Sequence, residues 1–152
     1  MQKKIIWIII LAVFLIVSYN IQSAKNVPIE EIEAEVSSKV DLSLMKKCTD
    51  RDLVHFLGID PASTKGYFYY KGIEALSVDE LLVIKTKGHS ALPGFRDSVD
   101  RRIENQVSTF EGYGPKQVAS LQNALIIQKG PYILYYVGND AQKIAEVFKN
   151  AI

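Results

Sequence analysis

From Ile5 to Val17 every side chain is apolar, with Lys3 and Lys4 ahead of the run and Ser18, Tyr19, Asn20 and Ile21 closing it. A basic start, an apolar middle and a polar exit form the pattern that delivers a chain to a membrane. Ile5 to Ile21 is 17 residues, at the short end of the roughly 17–25 that cross a bilayer as a helix. Trp7 and Tyr19 stand near the two ends, where aromatic belts form. Asn20 shortens the apolar length and favours a cleaved signal peptide. The missing small-x-small site around Ser23 and Ala24 favours a retained anchor. Lys3 and Lys4 before the run, against Lys25 just after it, put the N-terminus inside. Residues 1–24 are therefore expected to be a signal anchor or signal peptide, and residues 25–152 one extracytoplasmic domain. A single-pass protein of the cell membrane is the first expectation, and secretion after cleavage the alternative.

Downstream the period changes repeatedly. Residues 22–28 read as a short tether. Val27-Pro28 then opens a helix, proline suiting a first turn whose amide has no partner anyway. Ile29, Ile32, Val36 and Val40 give that helix one apolar face. Thr49 reads as the N-cap of a short helix through Leu57, stopped by Gly58. Gly66 to Lys71 and Leu81 to Thr86 are strand candidates joined by a loop, hence antiparallel. Leu92, Phe95, Val99, Ile103, Val107 and Phe110 recur at three- and four-residue steps and predict a long amphipathic helix. Arg96/Asp100 and Asp97/Arg101 are spaced to pair along its wet side. Gly112 to Pro115 breaks it, and a short helix follows through Leu121. Lys129-Gly130 predicts a tight hairpin between two apolar runs, 124–128 and 131–137. Asp140 is placed to cap a last helix buried through Ile144, Val147 and Phe148. Two hairpins without an evident parallel crossover predict an α+β domain, with one mostly antiparallel sheet of about four strands packed by helices.

Composition narrows the partners. Without the first 24 residues, 128 of the 152 remain, enough for one domain and too few for two. That part holds 16 of the 18 Lys+Arg against all 17 Asp+Glu, so it carries no basic footprint for nucleic acid. The single cysteine, Cys48, makes an internal disulfide impossible and fits a small buried residue beside a helix start.

The segments Arg102-Ile103-Glu104-Asn105-Gln106, Tyr113-Gly114-Pro115-Lys116-Gln117, Leu121-Gln122-Asn123-Ala124, Gly130-Pro131-Tyr132-Ile133 and Asn139-Asp140 together resemble a bacterial family of small extracytoplasmic proteins, the domain of unknown function numbered 4358. The resemblance covers roughly residues 28–150. It implies location and fold continuity, and brings no activity or catalytic residue with it. Many members look like lipoproteins with a cysteine at the membrane border, which this chain lacks.

Chemistry is sparse. His55 and His89 are 34 residues apart, and neither has a ligand partner at i+3 or i+4, so no metal site is expected. No cofactor is implied either: Walker and dinucleotide fingerprints are absent. Gly88-His89-Ser90-Ala91-Leu92 only faintly resembles a nucleophile elbow, because leucine stands where the last glycine belongs. Two polar or aromatic sets remain as candidate binding surfaces. Arg102, Gln106, Tyr113 and Gln117 cluster around the helix–turn–helix corner, either capping it or flooring a recognition pocket. A buried Arg102 would need a partner, and Glu80 and Glu104 are the candidates. Tyr67 and Tyr69 share one face of their strand, Phe68 and Tyr70 the other, and Tyr132 and Tyr136 oppose Tyr135. If helices cover one face only, the other is an aromatic platform for binding; otherwise these rings are core.

The function expected is a membrane-anchored binding or interaction module of the bacterial envelope, taking an envelope protein or cell-wall material as partner. The alternative is an envelope enzyme, hydrolase-like, with Ser90/His89 or Cys48/His55 as nucleophile and base. Oligomeric state is open, since an uncovered sheet face would equally serve self-association.

Overall fold

The structure, a computed structural model, describes the backbone of residues 2–22 and 24–152 and the side chains of 4–16 and 24–152. Helix α1 runs Gln2–Gln22. Its large apolar side chains from Ile5 to Ile16 are all more than half exposed, on every side of the helix. Among the described residues, no helix is long and apolar enough to cross a membrane. The sequence features at Tyr19, Asn20 and Ser23 lie outside the described side chains.

The domain proper begins with α2 (Ile29–Lys39), a short strand β1 (Met45–Lys47) and α3 (Asp50–Leu57). Thr49 caps α3 in a reciprocal capping box with Asp52, and Gly58 ends it in the left-handed conformation at φ 66°, as the sequence signals predict. Strands β2 (Thr64–Gly72) and β3 (Glu80–Thr86) form the first hairpin. The long helix α4 (Leu92–Phe110) and α5 (Pro115–Gln122) follow, then β4 (Leu125–Lys129), β5 (Tyr132–Val137) and α6 (Ala141–Ala151). The five strands form one antiparallel sheet in the order β1-β2-β3-β5-β4.

Both faces of the sheet are covered. On one, Phe68, Leu81, Val83, Tyr132 and Leu134 pack against α2 and α6 through Ile29, Ile32, Val36, Ile144 and Phe148. On the other, Tyr69, Leu82, Ile84, Ile133 and Tyr135 meet Leu53, Leu92, Phe95, Val99 and Leu121 from α3, α4 and α5. The central strands β3 and β5 are buried at every position, which explains why they read as continuous apolar runs rather than alternating ones.

The structure departs from the sequence expectations at several places. The sheet has five strands, not four: β1 is three residues, two of them lysine, and is a strand only because it pairs with Tyr70, Lys71 and Gly72. Strands β3 and β4 run parallel to each other with β5 between them, so α4 and α5 do form a crossover. Arg96 pairs with Asp100 as expected, whereas Arg101 donates to Ser98 Oγ at 3.0 Å instead of meeting Asp97. Asp140 occupies the N-cap position of α6 without bonding through its side chain; its backbone N–H donates to the Tyr136 hydroxyl.

Residues 25–28 are not a free tether. The Tyr132 hydroxyl accepts from Val27 N at 2.8 Å, and Lys85 Nζ donates to Val27 O at 2.6 Å. No local pattern could reveal this, because the partners lie 58 and 105 residues away. Ala24 packs on Gly130, which turns the β4–β5 hairpin at φ 55°. A Cβ on Gly130 would sit 2.7 Å from Ala24 Cβ. Gly130→Ala therefore combines a left-handed backbone with a clash, and is expected to destabilise the domain by roughly 1–2 kcal/mol. A lower midpoint in chemical denaturation would register it, and an unchanged midpoint would contradict the docking of the entry segment.

Candidate functional site

Glu80 opens β3 and is wholly buried. Strand alternation turns it to the same face as Leu82 and Ile84, toward α4. Its Oε1 receives nearly every donor within reach. Arg102 reaches it from α4 with Nη2 at 2.6 Å and Nε at 3.1 Å, and Gln106 Nε2, one turn further on, at 3.4 Å. Tyr69 donates its hydroxyl from the neighbouring strand at 3.0 Å, and Lys71, directly across from Glu80 in the ladder, places Nζ at 3.7 Å.

Phe56 of α3 closes the cluster on its outer side. The Lys71 ammonium lies 3.4 Å and the Arg102 guanidinium 4.9 Å from its ring, a contact that a π face favours for either cation. The side chain of Arg102 is 13% exposed and that of Lys71 23%, so the cluster reaches water only at this edge. Tyr135 turns its hydroxyl to the same face, toward Glu80, and Gln106 Oε1 has no hydrogen-bond partner among the described residues. Burial pulls the Lys71 ammonium below its ordinary range, with Glu80 opposing. Burial also works against the Arg102 cation, but the hydrogen bonds and charge of Glu80 outweigh it and raise the guanidinium.

The two candidate sets fare differently. Arg102 and Gln106 converge on Glu80; Glu104 is exposed. Tyr113 stands 65% exposed at the α4–α5 corner, and Gln117 donates to Leu76 O at 3.4 Å, so these four do not floor one pocket. The tyrosine platform is not formed, because helices cover both faces. Tyr69 and Tyr132 are fully buried, Tyr136 nearly so, and Tyr67 is half-buried with its hydroxyl donated to Asp50. Lys71 and Phe56 were not singled out by the sequence, and Tyr135 was named only as facing away from Tyr132 and Tyr136. Alternation from Tyr69 would have placed Lys71, but nothing local marks a ring on a separate helix.

Gln117 lines a different feature, an open groove of about 230 Å³ between α5 and the β2–β3 loop, bordered by Glu74, Asp79, Lys116 and Ser120. Beside it, Leu76 and Ile73 are exposed, and Ile73 N donates to Leu44 O, another exposed leucine. Outside α1, the exposed large apolar residues are Leu44, Val54, Ile73, Leu76 and Tyr113. All but Val54 gather at this end.

Neither proposed nucleophile–base pair is hydrogen-bonded. His55, His89 and Ser90 are exposed, and the Cys48 thiol faces Lys46 O at 3.8 Å. Cys48 is half-buried rather than buried, and that burial pushes its thiol up to about 11, where almost none is thiolate at neutral pH. Among the described residues, no three His, Cys, Asp or Glu side chains are grouped to hold a metal ion.

An antiparallel sheet between two helical layers, with a buried carboxylate neutralised from one of them, places the chain in the α+β class. The chain belongs to the family described as Domain of unknown function (DUF4358), whose model matches residues 38–138. The match takes in all five strands, α3 to α5 and every residue of the Glu80 cluster. No curated protein and no solved structure matches the chain.

Removing one partner of a buried ion pair strands the other, so Arg102→Met is expected to cost roughly 3–5 kcal/mol. Glu80→Leu combined with Arg102→Met should regain most of that loss, because Lys71 can turn to water. Denaturant midpoints of the two single variants and the double give the test, and additive losses would refute a coupled pair. The tyrosines supply a pH signature. Burial first, then the charge of Glu80, raise the Tyr69 hydroxyl far above its ordinary 10.0 and Tyr135 likewise. The unfolded chain thus ionises first, and the stability these groups contribute is complete below about pH 10 and drains as pH rises beyond it. Tyr69→Phe should flatten the fall of Tm above pH 10; an unchanged slope would mean the buried hydroxyl does not couple to folding.

Proposed function

We propose that the chain is a membrane-anchored, extracytoplasmic binding module of the bacterial envelope, carrying its partner surface on the domain end formed by Leu44, the β2–β3 loop and the α4–α5 corner. The observation that carries this reading is how the exposed apolar surface is divided. One part is α1, apolar all round from Ile5 to Ile16, a surface that water does not tolerate uncovered. The other is Leu44, Ile73, Leu76 and Tyr113 beside the Gln117 groove. Apolar side chains rimmed by Glu74, Asp79 and Lys116 have the make-up of a protein contact. Lys3 and Lys4 ahead of the apolar run favour the domain lying outside.

A photoreactive residue at Leu76, and separately at Tyr113, in the full-length protein in cells gives the test. One discrete adduct common to both sites, recovered in the membrane fraction, is expected. Capture from neither site by a folded, membrane-bound protein would remove this end as the partner surface.

A further inference from the structure

The entry point of the chain carries a second, charged surface. Ala24 packs on the Gly130 turn, and Tyr132 and Lys85 hold Val27. One residue separates Gln22, the last of α1, from Ala24, so their Cα atoms are at most about 7 Å apart. There is no linker to lift the domain away from the helix.

The side chains at this end are basic. Lys25 lies in the entry segment, Lys65 at the start of β2, Lys87 just past β3, Lys129 at the end of β4 and Lys149 in the last turn of α6. Four are exposed and Lys129 partly so. The ion pairs among the described residues use Lys39, Lys47, Lys71, Arg96 and Arg102, and none of these five lysines. Lys87 donates to Ala62 O, and Lys129 to Lys149 O and to an oxygen of Ile152, the last residue of the sequence. Glu30, Glu31, Asp60 and Asp97 are acidic residues at the same end, and Asp60 accepts from Ala62 N in its own loop. The opposite end carries Glu74, Asp79, Glu111 and Asp140 in its loops, beside the exposed Lys39, Lys46, Lys116 and Lys143.

We infer that this lysine-bearing end docks on the anionic lipid headgroups of the leaflet from which α1 emerges. The inference rests on the anchor reading of α1. Ala24 is within about 7 Å of the helix end, and lysines brought within a Debye length of an anionic bilayer, about 8 Å at physiological salt, are drawn to its surface. Lysines outside any side-chain ion pair, held around the point where an apolar helix joins, match such a surface in position.

The test uses the full-length protein reconstituted in phosphatidylcholine vesicles, with and without about one-third phosphatidylglycerol. A membrane-impermeant amine reagent and mass spectrometry read the modification rate of each lysine. On anionic vesicles, Lys65, Lys87 and Lys149 are expected to react roughly three- to tenfold more slowly, with high salt abolishing the difference. Lys46 and Lys116, on β1 and α5, should react equally on both. Protein that floats with both vesicles yet shows equal rates at all five lysines overturns the headgroup contact and leaves the anchor reading standing. Protein that floats with neither overturns the anchor and the contact together.

Discussion

A carboxylate buried to zero exposure at the head of the central strand is the constraint to which the helical layer above it is fitted. Moving such a charge out of water costs several kcal/mol unless a countercharge and hydrogen bonds replace the lost solvent. Glu80 finds them on two elements far apart in sequence, with Tyr69 and Lys71 from β2 and Arg102 and Gln106 from α4. The rotation of α4 is thereby fixed. Shifting it by one residue turns its face by about 100°, which would carry Arg102 and Gln106 away while leaving the carboxylate in place. The apolar stripe through Phe95 and Val99 tolerates small slips; the ion pair does not. Phe56 adds α3 to the same arrangement by stacking under both cations.

The other face of the sheet works differently. Beneath α2 and α6 the contacts are mostly apolar; Tyr70 donates to Glu33 of α2 at 2.7 Å, and Tyr132 and Lys85 grip the backbone of the entry segment. One layer thus positions a charge cluster and the other fastens the chain leading to α1. The family match covers the first layer with the sheet and leaves most of α2 and all of α6 outside.

The legible parts of this fold are those decided by local chemistry. The capping box at Thr49, the positive-φ glycines at 58 and 130 and the stripe from Leu92 to Phe110 each name their own structure. Alternation correctly separated Tyr67 and Tyr69 from Phe68 and Tyr70. What the sequence withheld was what each face meets. An aromatic strand reads the same whether a helix covers it or not, so burial of Tyr69 and Tyr132 follows only from two helical layers that close over the sheet. Strand β1 was hidden for a similar reason, since Met45-Lys46-Lys47 has no period of its own and borrows its geometry from β2. At the candidate site, the helical spacing of Arg102 and Gln106 was legible, and so was the need for a carboxylate. Choosing Glu80 over Glu104 required the register of α4 on the sheet.

The long axis of the strands gives these parts a common direction. Strand β2 is nine residues long, and at about 3.4 Å per residue it spans roughly 30 Å. Its first residue lies at the lysine end beside the entry segment, and its last leads into the loop bearing Ile73 and Leu76. Under the proposed anchoring of α1, the short entry segment would keep the domain from tumbling freely on a tether. On that reading the end around Gly130 would face the lipid, with the apolar tips about a strand's length away from it. The proposed partner surface would then be set by how the chain enters the sheet: fastening Val27 to Tyr132 and Lys85 would orient the Leu76 end outward before any partner arrives.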